Sequence, residues 1–132
     1  MSFSIDYQYG KNQELNLFDK INTYFNDNLI KSVNKYEKYD FKGDLYIYEL
    51  KSRNCLLNTF DTTIIPYSKL IKNKEDKQIF IFNFQDGLYY IKYNKTQFSK
   101  YDLNYFKRRE RVDFNDIKQL YYFIPVIDLI KI

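Results

Sequence analysis

The 132-residue chain contains no histidine and a single cysteine, Cys55. Without histidine there is no Ser-His-Asp or Cys-His triad, no histidine general base and no histidine-ligated zinc. One cysteine forms no internal disulfide and argues against a structural zinc site, so a reducing compartment is the simplest reading. Nothing beside Cys55 in the sequence suggests an activating base, which predicts an inert thiol. Three glycines and two prolines leave no Gly/Pro/Ser-rich linker, and no repeat or low-complexity tract breaks the chain, so residues 1–132 read as one domain. No apolar run approaches the ~18 residues that span a bilayer. Met1-Ser2-Phe3-Ser4-Ile5-Asp6 lacks a basic segment followed by an apolar one, which predicts no signal peptide and a protein that is not secreted.

These absences narrow the chemistry. Catalysis must fall to carboxylates, Lys, Arg, Tyr or a hard cation held by oxygen. The chain is rich in Tyr (15) and Phe (12) but has no Trp, a residue set typical of AT-rich coding. The net charge of +4 permits nucleic acid as a partner without requiring it.

Leu15, Phe18, Ile21, Phe25 and Leu29 recur at helical spacing, which predicts a helix from Gln13 to about Ile30, capped by Asn12. Asn26-Asp27-Asn28 offers an earlier end. Residues 35–53 read as a hairpin: a strand around Tyr36–Phe41, a turn at Lys42-Gly43, and a strand from Leu45 to Lys51. Thr62-Thr63 followed by Pro66 predicts a short second helix through Tyr67, Leu70 and Ile71. Lys72 to Lys77 reads as a charged loop. A second hairpin pairs Gln78–Phe84 with Leu88–Tyr93 about Asp86-Gly87, and its arms, apolar on nearly both faces, predict a mid-sheet position. A charged, aromatic segment follows, and Leu120–Val126 reads as a strand that ends, or lies at an edge, because of Pro125. The order predicts an α+β (α/β-like) fold: an N-terminal helix, a mixed central sheet built from two hairpins, and a second helix packed on the sheet.

Within this pattern Glu49 and Lys51 stand out. Strand side chains alternate faces, so the two point the same way from an otherwise apolar strand. A carboxylate and an ammonium there are costly to bury unless paired or holding a metal. Four acid-x-Lys matches occur (Asp40/Lys42, Glu49/Lys51, Glu75/Lys77, Asp116/Lys118), and only Glu49/Lys51 lies inside an apolar strand with acids, Asp40 and Asp44, just upstream. Two readings stand: an exposed ion pair on an edge strand, or a metal-dependent phosphodiesterase site. For the second, Asp40 and Glu49 supply carboxylates, the Leu50 carbonyl a third oxygen, and Lys51 a cation for the water or the developing charge. A regular hairpin turning at Lys42-Gly43 places Asp40 opposite Leu45, so Asp40 reaches the site only if the first strand is brief. Asp44, the fallback ligand, falls in the turn itself.

Lys38-Tyr39-Asp40-Phe41 and Tyr46-Ile47-Tyr48-Glu49-Leu50-Lys51-Ser52-Arg53 resemble the PD-(D/E)XK nuclease superfamily, and more narrowly small nuclease-like proteins of large DNA viruses. Thr62-Thr63-Ile64-Ile65-Pro66-Tyr67-Ser68-Lys69 and Phe82 to Tyr90 continue the resemblance in order, over roughly residues 13–93. It implies a restriction-endonuclease-like core and Mg²⁺- (or Mn²⁺-) dependent cleavage of nucleic acid, DNA foremost. Asp40 and Glu49 would then be metal ligands and Lys51 the catalytic lysine, with Glu14 a further first-helix acid. The resemblance also implies the cytoplasmic or nuclear compartment of an infected host cell, or the virion, and by analogy a homodimer able to address both strands. The alternative is an inactive nuclease-like fold that binds nucleic acid or serves as a virion or assembly component. Nucleic-acid-binding candidates are Arg53, Lys69 and the basic knot Lys107, Arg108, Arg109 and Arg111. Each has a plainer reading as a salt bridge or a solvated side chain, and for Glu14 the plainer reading is an acid favoured by its helix dipole.

Overall fold

The computed structural model describes residues 16–34, 37–106 and 119–132. They form a mixed α+β fold that is mostly sheet, with the large sheet packed between a helix and a second, smaller sheet. Residues 16–25 form helix α1. A six-stranded mixed sheet has the order β1 (Ile30–Lys31), β2 (Phe41–Lys42), β3 (Ile47–Ser52), β5 (Gln78–Phe84), β6 (Gly87–Lys92) and β9 (Ile130–Lys131). A second, three-stranded sheet has the order β4 (Thr62–Pro66), β8 (Leu120–Pro125) and β7 (Asp102–Tyr105). A single turn of helix, α2 (Lys95–Phe98), is capped by Asn94, whose side chain accepts from the Gln97 N–H.

The large sheet is covered on both faces, as the pattern of β5 requires. Ile79 and Ile81 face one way, into a core with Ile21 of α1, Leu29, Phe41, Tyr48 and Leu88. Phe80, Phe82 and Phe84 face the other way, into a core with Ile65, Tyr122 and Ile124 of the second sheet and Phe98 of α2. Each such side chain contributes roughly 1.5–3 kcal/mol by leaving water. Among the described residues, no helix is long and apolar enough to cross a membrane.

All pairings in the large sheet are antiparallel except β3 with β5, which run parallel with Glu49 beside Phe80 and Lys51 beside Phe82. A parallel pair needs a long crossover. Here residues 53–77 make it by crossing to the second sheet as β4 and returning through 3₁₀ turns at Tyr67–Lys69 and Glu75–Lys77. This overturns the expected second helix. Thr63 and Ile65 are β-branched, alternate with half-buried neighbours, and pair with Ile124 and Tyr122 of β8. A partner strand some 60 residues away outweighs the local helix-start signal.

Other boundaries also differ from expectation. Helix α1 ends at residue 25, where Asn26 and Asn28 take positive φ (49° and 53°), a conformation asparagine tolerates. The helix start expected at residues 12–15 lies outside the described residues. Of the expected strand around Tyr36–Phe41, Tyr36 lies outside the described residues, and of residues 37–42 only Phe41–Lys42 (β2) is strand. The second hairpin turns at Gln85-Asp86, one residue earlier than expected, because Gly87 (φ 152°) already pairs with Phe84. Strand β8 ends at Pro125 but is the middle of its sheet, not an edge.

Candidate active site

The site is built around β3. Its odd-numbered positions, Glu49 and Lys51, face the second sheet, and Tyr48 and Leu50 face α1. Glu49 is buried, with its side chain 6% exposed, whereas those of Lys51 and Lys69 are 26% and 33% exposed. Both lysines converge on one oxygen: Lys51 Nζ lies 3.1 Å and Lys69 Nζ 3.4 Å from Glu49 Oε1. The expectation of an ion pair on an outer strand therefore holds for the pairing but not for the position. Strand β3 is interior, and the carboxylate is shielded while the two ammonium groups reach solvent.

Asp40 brackets this carboxylate. Its N–H donates to the Tyr48 carbonyl at 2.9 Å, and its Oδ2 accepts from the Leu50 N–H at 2.7 Å. One residue before and one after Glu49 are thus tied to Asp40. The expected turn at Lys42-Gly43, with Asp40 opposite Leu45, is replaced by a longer hairpin. Phe41 pairs with Tyr48, Lys42 with Ile47, and the Gly43 N–H donates to the Tyr46 carbonyl, leaving Asp44-Leu45 at the tip. The first strand is two residues long. Tyr48 is faced by Phe41 in register and also receives the Asp40 N–H, a one-residue irregularity that lets Asp40 reach its neighbour's edge. Asp44, at the tip, accepts from Asn28 Nδ2 and stays exposed.

Burial, and then the negative charge of Asp40, push the Glu49 carboxyl above the usual glutamate range. The two ammonium groups pull the other way without offsetting this. Two carboxylates held together in a poorly solvated place are a site where an added cation lowers the free energy. The donors are hard. Besides Asp40 and Glu49, the Leu50 carbonyl lies on the same edge of β3 as its N–H, toward Asp40, because both backbone groups of a strand residue point to one edge. Such a set suits Mg²⁺ or Mn²⁺ rather than zinc. Among the described residues, no group of three or more Asp, Glu, Cys or His side chains gathers here or elsewhere.

The other candidates divide. Lys69, expected on a helix, sits in the 3₁₀ turn after Pro66. Arg53 shares the Glu49/Lys51 face, and its guanidinium donates to Thr63 Oγ1 and to the Ile64 carbonyl and lies over the Phe82 ring. It therefore joins the end of β3 to β4. Glu14, Lys107, Arg108, Arg109 and Arg111 lie outside the described residues. Cys55 is a free, half-buried thiol.

Two residues of the site were not singled out from the sequence. Asp27, 4% exposed, accepts from the Leu45 and Tyr46 N–H groups and the Tyr48 hydroxyl, and its carbonyl accepts from the Asp44 N–H. It sets the hairpin tip and hence the register that carries Asp40. Gln78, 2% exposed, donates to the Lys69 carbonyl and accepts from the Ile71 N–H, fixing the turn that aims Lys69. In the sequence Asp27 sat in an apparent helix stop and Gln78 opened an apolar strand, so neither carried a signal of its partners.

A mixed groove of about 700 Å³ is lined by Lys38, two residues ahead of Asp40 in the chain, by Tyr67 and Ser68, which precede Lys69, and by Lys72, Lys95, Glu75 and Asp76. Arg53 lines a smaller, mostly apolar pocket. In comparisons with known proteins, the chain matches no family model, no curated protein and no solved structure.

Proposed function

We propose that this chain is a metal-dependent nuclease of the PD-(D/E)XK kind, hydrolysing phosphodiester bonds of nucleic acid, with DNA as the expected substrate. The observation that carries the reading is the bracketing of buried Glu49 by Asp40, with Lys51 and Lys69 on the same carboxylate. Asp40, Glu49 and the Leu50 carbonyl would hold Mg²⁺ or Mn²⁺. When bound, such an ion supplies an acidified water and neutralises charge on the phosphoryl oxygens.

The chain's own residues do the rest. Burial keeps Glu49 from being solvated and so available as a ligand. The Asp40–Leu50 hydrogen bond fixes the second carboxylate against the first. Lys51, an ammonium 3.1 Å from Glu49 and partly open to solvent, can donate to the attacking water or to a phosphoryl oxygen as negative charge grows there. Lys69 is a second cation for the same charge. Lys38, Lys72 and Lys95, which line the groove together with Glu75 and Asp76, would contact the phosphate backbone.

The test is incubation of labelled DNA with Mg²⁺ or Mn²⁺ and the purified protein, beside Lys51→Ala. Metal-dependent cleavage by the wild type alone supports the reading, and identical cleavage by both removes it.

One observation favours a second reading, in which the same fold binds nucleic acid or serves in assembly without cutting. Lys51 and Lys69 both pair with Glu49 Oε1, as they would in a purely structural ion-pair cluster. Calorimetry separates the two readings, since the binding-only protein takes up neither Mg²⁺ nor Mn²⁺.

A further inference from the structure

Tyr122 of β8 points into the core between the two sheets and is 9% exposed. Its ring packs against Phe98 (centroids 5.3 Å apart) and Tyr67 (5.9 Å). A tyrosine this buried ordinarily finds a hydrogen-bond partner for its hydroxyl, yet this hydroxyl has none among the described residues. Nor is any side-chain polar atom among the described residues both sealed from solvent and unpartnered. The Tyr122 hydroxyl therefore opens on the groove that the residue lines. Tyr67 and Tyr93 line the same groove, and their hydroxyls also lack a partner among the described residues. The three come from different elements: the 3₁₀ turn after Pro66, the residue after β6, and β8. They lie close enough to act on one another. Burial, then Tyr93 and Tyr67, push the Tyr122 hydroxyl above the ordinary tyrosine range, and burial, then Glu75 and Tyr67, do the same to Tyr93. Both stay protonated at neutral pH and able to donate.

The groove's charges narrow what it can hold. Lys38, Lys72 and Lys95 set three ammonium groups against two carboxylates, Glu75 and Asp76. With the three hydroxyls, donors outnumber the carboxylate acceptors, which favours an anion rich in acceptor oxygens. A phosphate monoester carries close to two negative charges at neutral pH and three acceptor oxygens. Hydrogen bonds to it from ammonium and hydroxyl groups are charge-assisted. A diester, with one charge and two free oxygens, leaves part of this donor set unused. Glu75 and Asp76 repel phosphate but accept from hydroxyl groups, so the body carrying the phosphate is hydroxylated. The volume of about 700 Å³ falls within the range of small-molecule sites.

We propose that this groove binds a phosphate monoester on a hydroxyl-bearing body, the chemistry shared by a free sugar phosphate and by the phosphorylated end of a nucleic-acid strand. The site needs neither the carboxylate–lysine centre nor a metal, so it stands apart from the nuclease reading.

The experiment is calorimetry on the full chain without divalent metal. The probes are ribose 5-phosphate, ribose, inorganic phosphate, and one oligonucleotide with and without a 5′-phosphate. At least one phosphorylated probe is expected to bind more tightly than its unphosphorylated counterpart and than inorganic phosphate. Binding of ribose 5-phosphate supports the proposal with a free sugar phosphate as the source. A gain confined to the phosphorylated oligonucleotide supports it with the strand end as the source. Tyr122→Phe removes one oxygen that the fold does not use, so it should melt as the wild type does. It should nevertheless weaken the phosphorylated probe by roughly 10- to 100-fold, and Lys72→Ala and Lys95→Ala should weaken it in the same direction. A phosphate that adds nothing to either probe overturns the proposal. So does a Tyr122→Phe protein that binds the phosphorylated probe as tightly as the wild type.

Discussion

A methyl group placed on Gly43 would lie 2.0 Å from Oδ2 of Asp27. Asp27 lies in the segment after α1 and Gly43 in the β2–β3 hairpin, and only the absence of a side chain at Gly43 lets the Asp27 carboxylate reach the N–H groups of Leu45 and Tyr46. The hairpin register, and with it the placement of Asp40 against Leu50, depends on this contact.

Gly43→Ala should therefore destabilise the fold by about 1–3 kcal/mol through overpacking. Asp27→Ala should cost about 3 kcal/mol or more, since it leaves two backbone donors and the buried Tyr48 hydroxyl without their acceptor. Urea unfolding followed by circular dichroism measures both. A midpoint for Gly43→Ala equal to that of the wild type would contradict the close approach.

At the candidate site, Lys51→Ala should lower the cleavage rate by on the order of 10²–10⁴-fold, and Asp40→Asn or Glu49→Gln should do the same. The three effects should be far from additive in combination, as expected of groups acting as a unit. Single-turnover cleavage of labelled DNA, with thermal melts confirming that each variant is folded, reads this out.

The Glu49 carboxyl gives a stability signature that needs no substrate. Unfolded, it titrates near 4.5, and in the folded chain burial and Asp40 raise that value. Between the two values the folded chain holds a proton that the unfolded chain has released. Stability therefore falls as pH rises through this interval. The unfolding free energy of Glu49→Gln, followed against pH, should lack this decline. A profile that matches the wild type throughout would show that Glu49 ionises freely.

Gln78 acts on Lys69 through the backbone. Gln78→Ala should destabilise the chain by about 1–3 kcal/mol for the buried groups left unpaired. It should also lower cleavage in the same direction as Lys69→Ala. Combining the two should add little further loss of rate, because both remove the same ammonium from Glu49. Full additivity would place Gln78 outside the site.

For the groove, Lys72→Glu should weaken nucleic-acid binding and flatten its dependence on salt by about one phosphate contact. Filter binding at several salt concentrations tests this. An unchanged slope would take the groove out of the backbone path.

Much of the local structure was legible in the residues themselves. The β5–β6 hairpin follows from two apolar runs around a turn dipeptide, and the body of α1 from apolar residues at helical spacing. That Glu49 and Lys51 share a face follows from the two-residue period of a strand. The expected helix over residues 62–71 failed for a physical reason. Its cap-like Thr62-Thr63 and Pro66 are local signals worth about a kilocalorie, and pairing with β8 over five positions together with burial of Ile65 outweighs them. The hairpin turn was misplaced because Asp27, outside the hairpin, selects where it bends.

The sequence by itself determined what chemistry is open to this protein: carboxylate, lysine and hard-cation chemistry, with one acid and one lysine committed to the same strand face. Tertiary structure alone decided that Asp40 rather than Asp44 joins them, that Lys69 arrives from the crossover, and that Arg53 ties β3 to β4. Those contacts link residues 10 to 20 apart through a hairpin and a second sheet. Side-chain period and propensity act over a few residues, whereas which distant groups meet depends on strand register and on the packing of one layer against another.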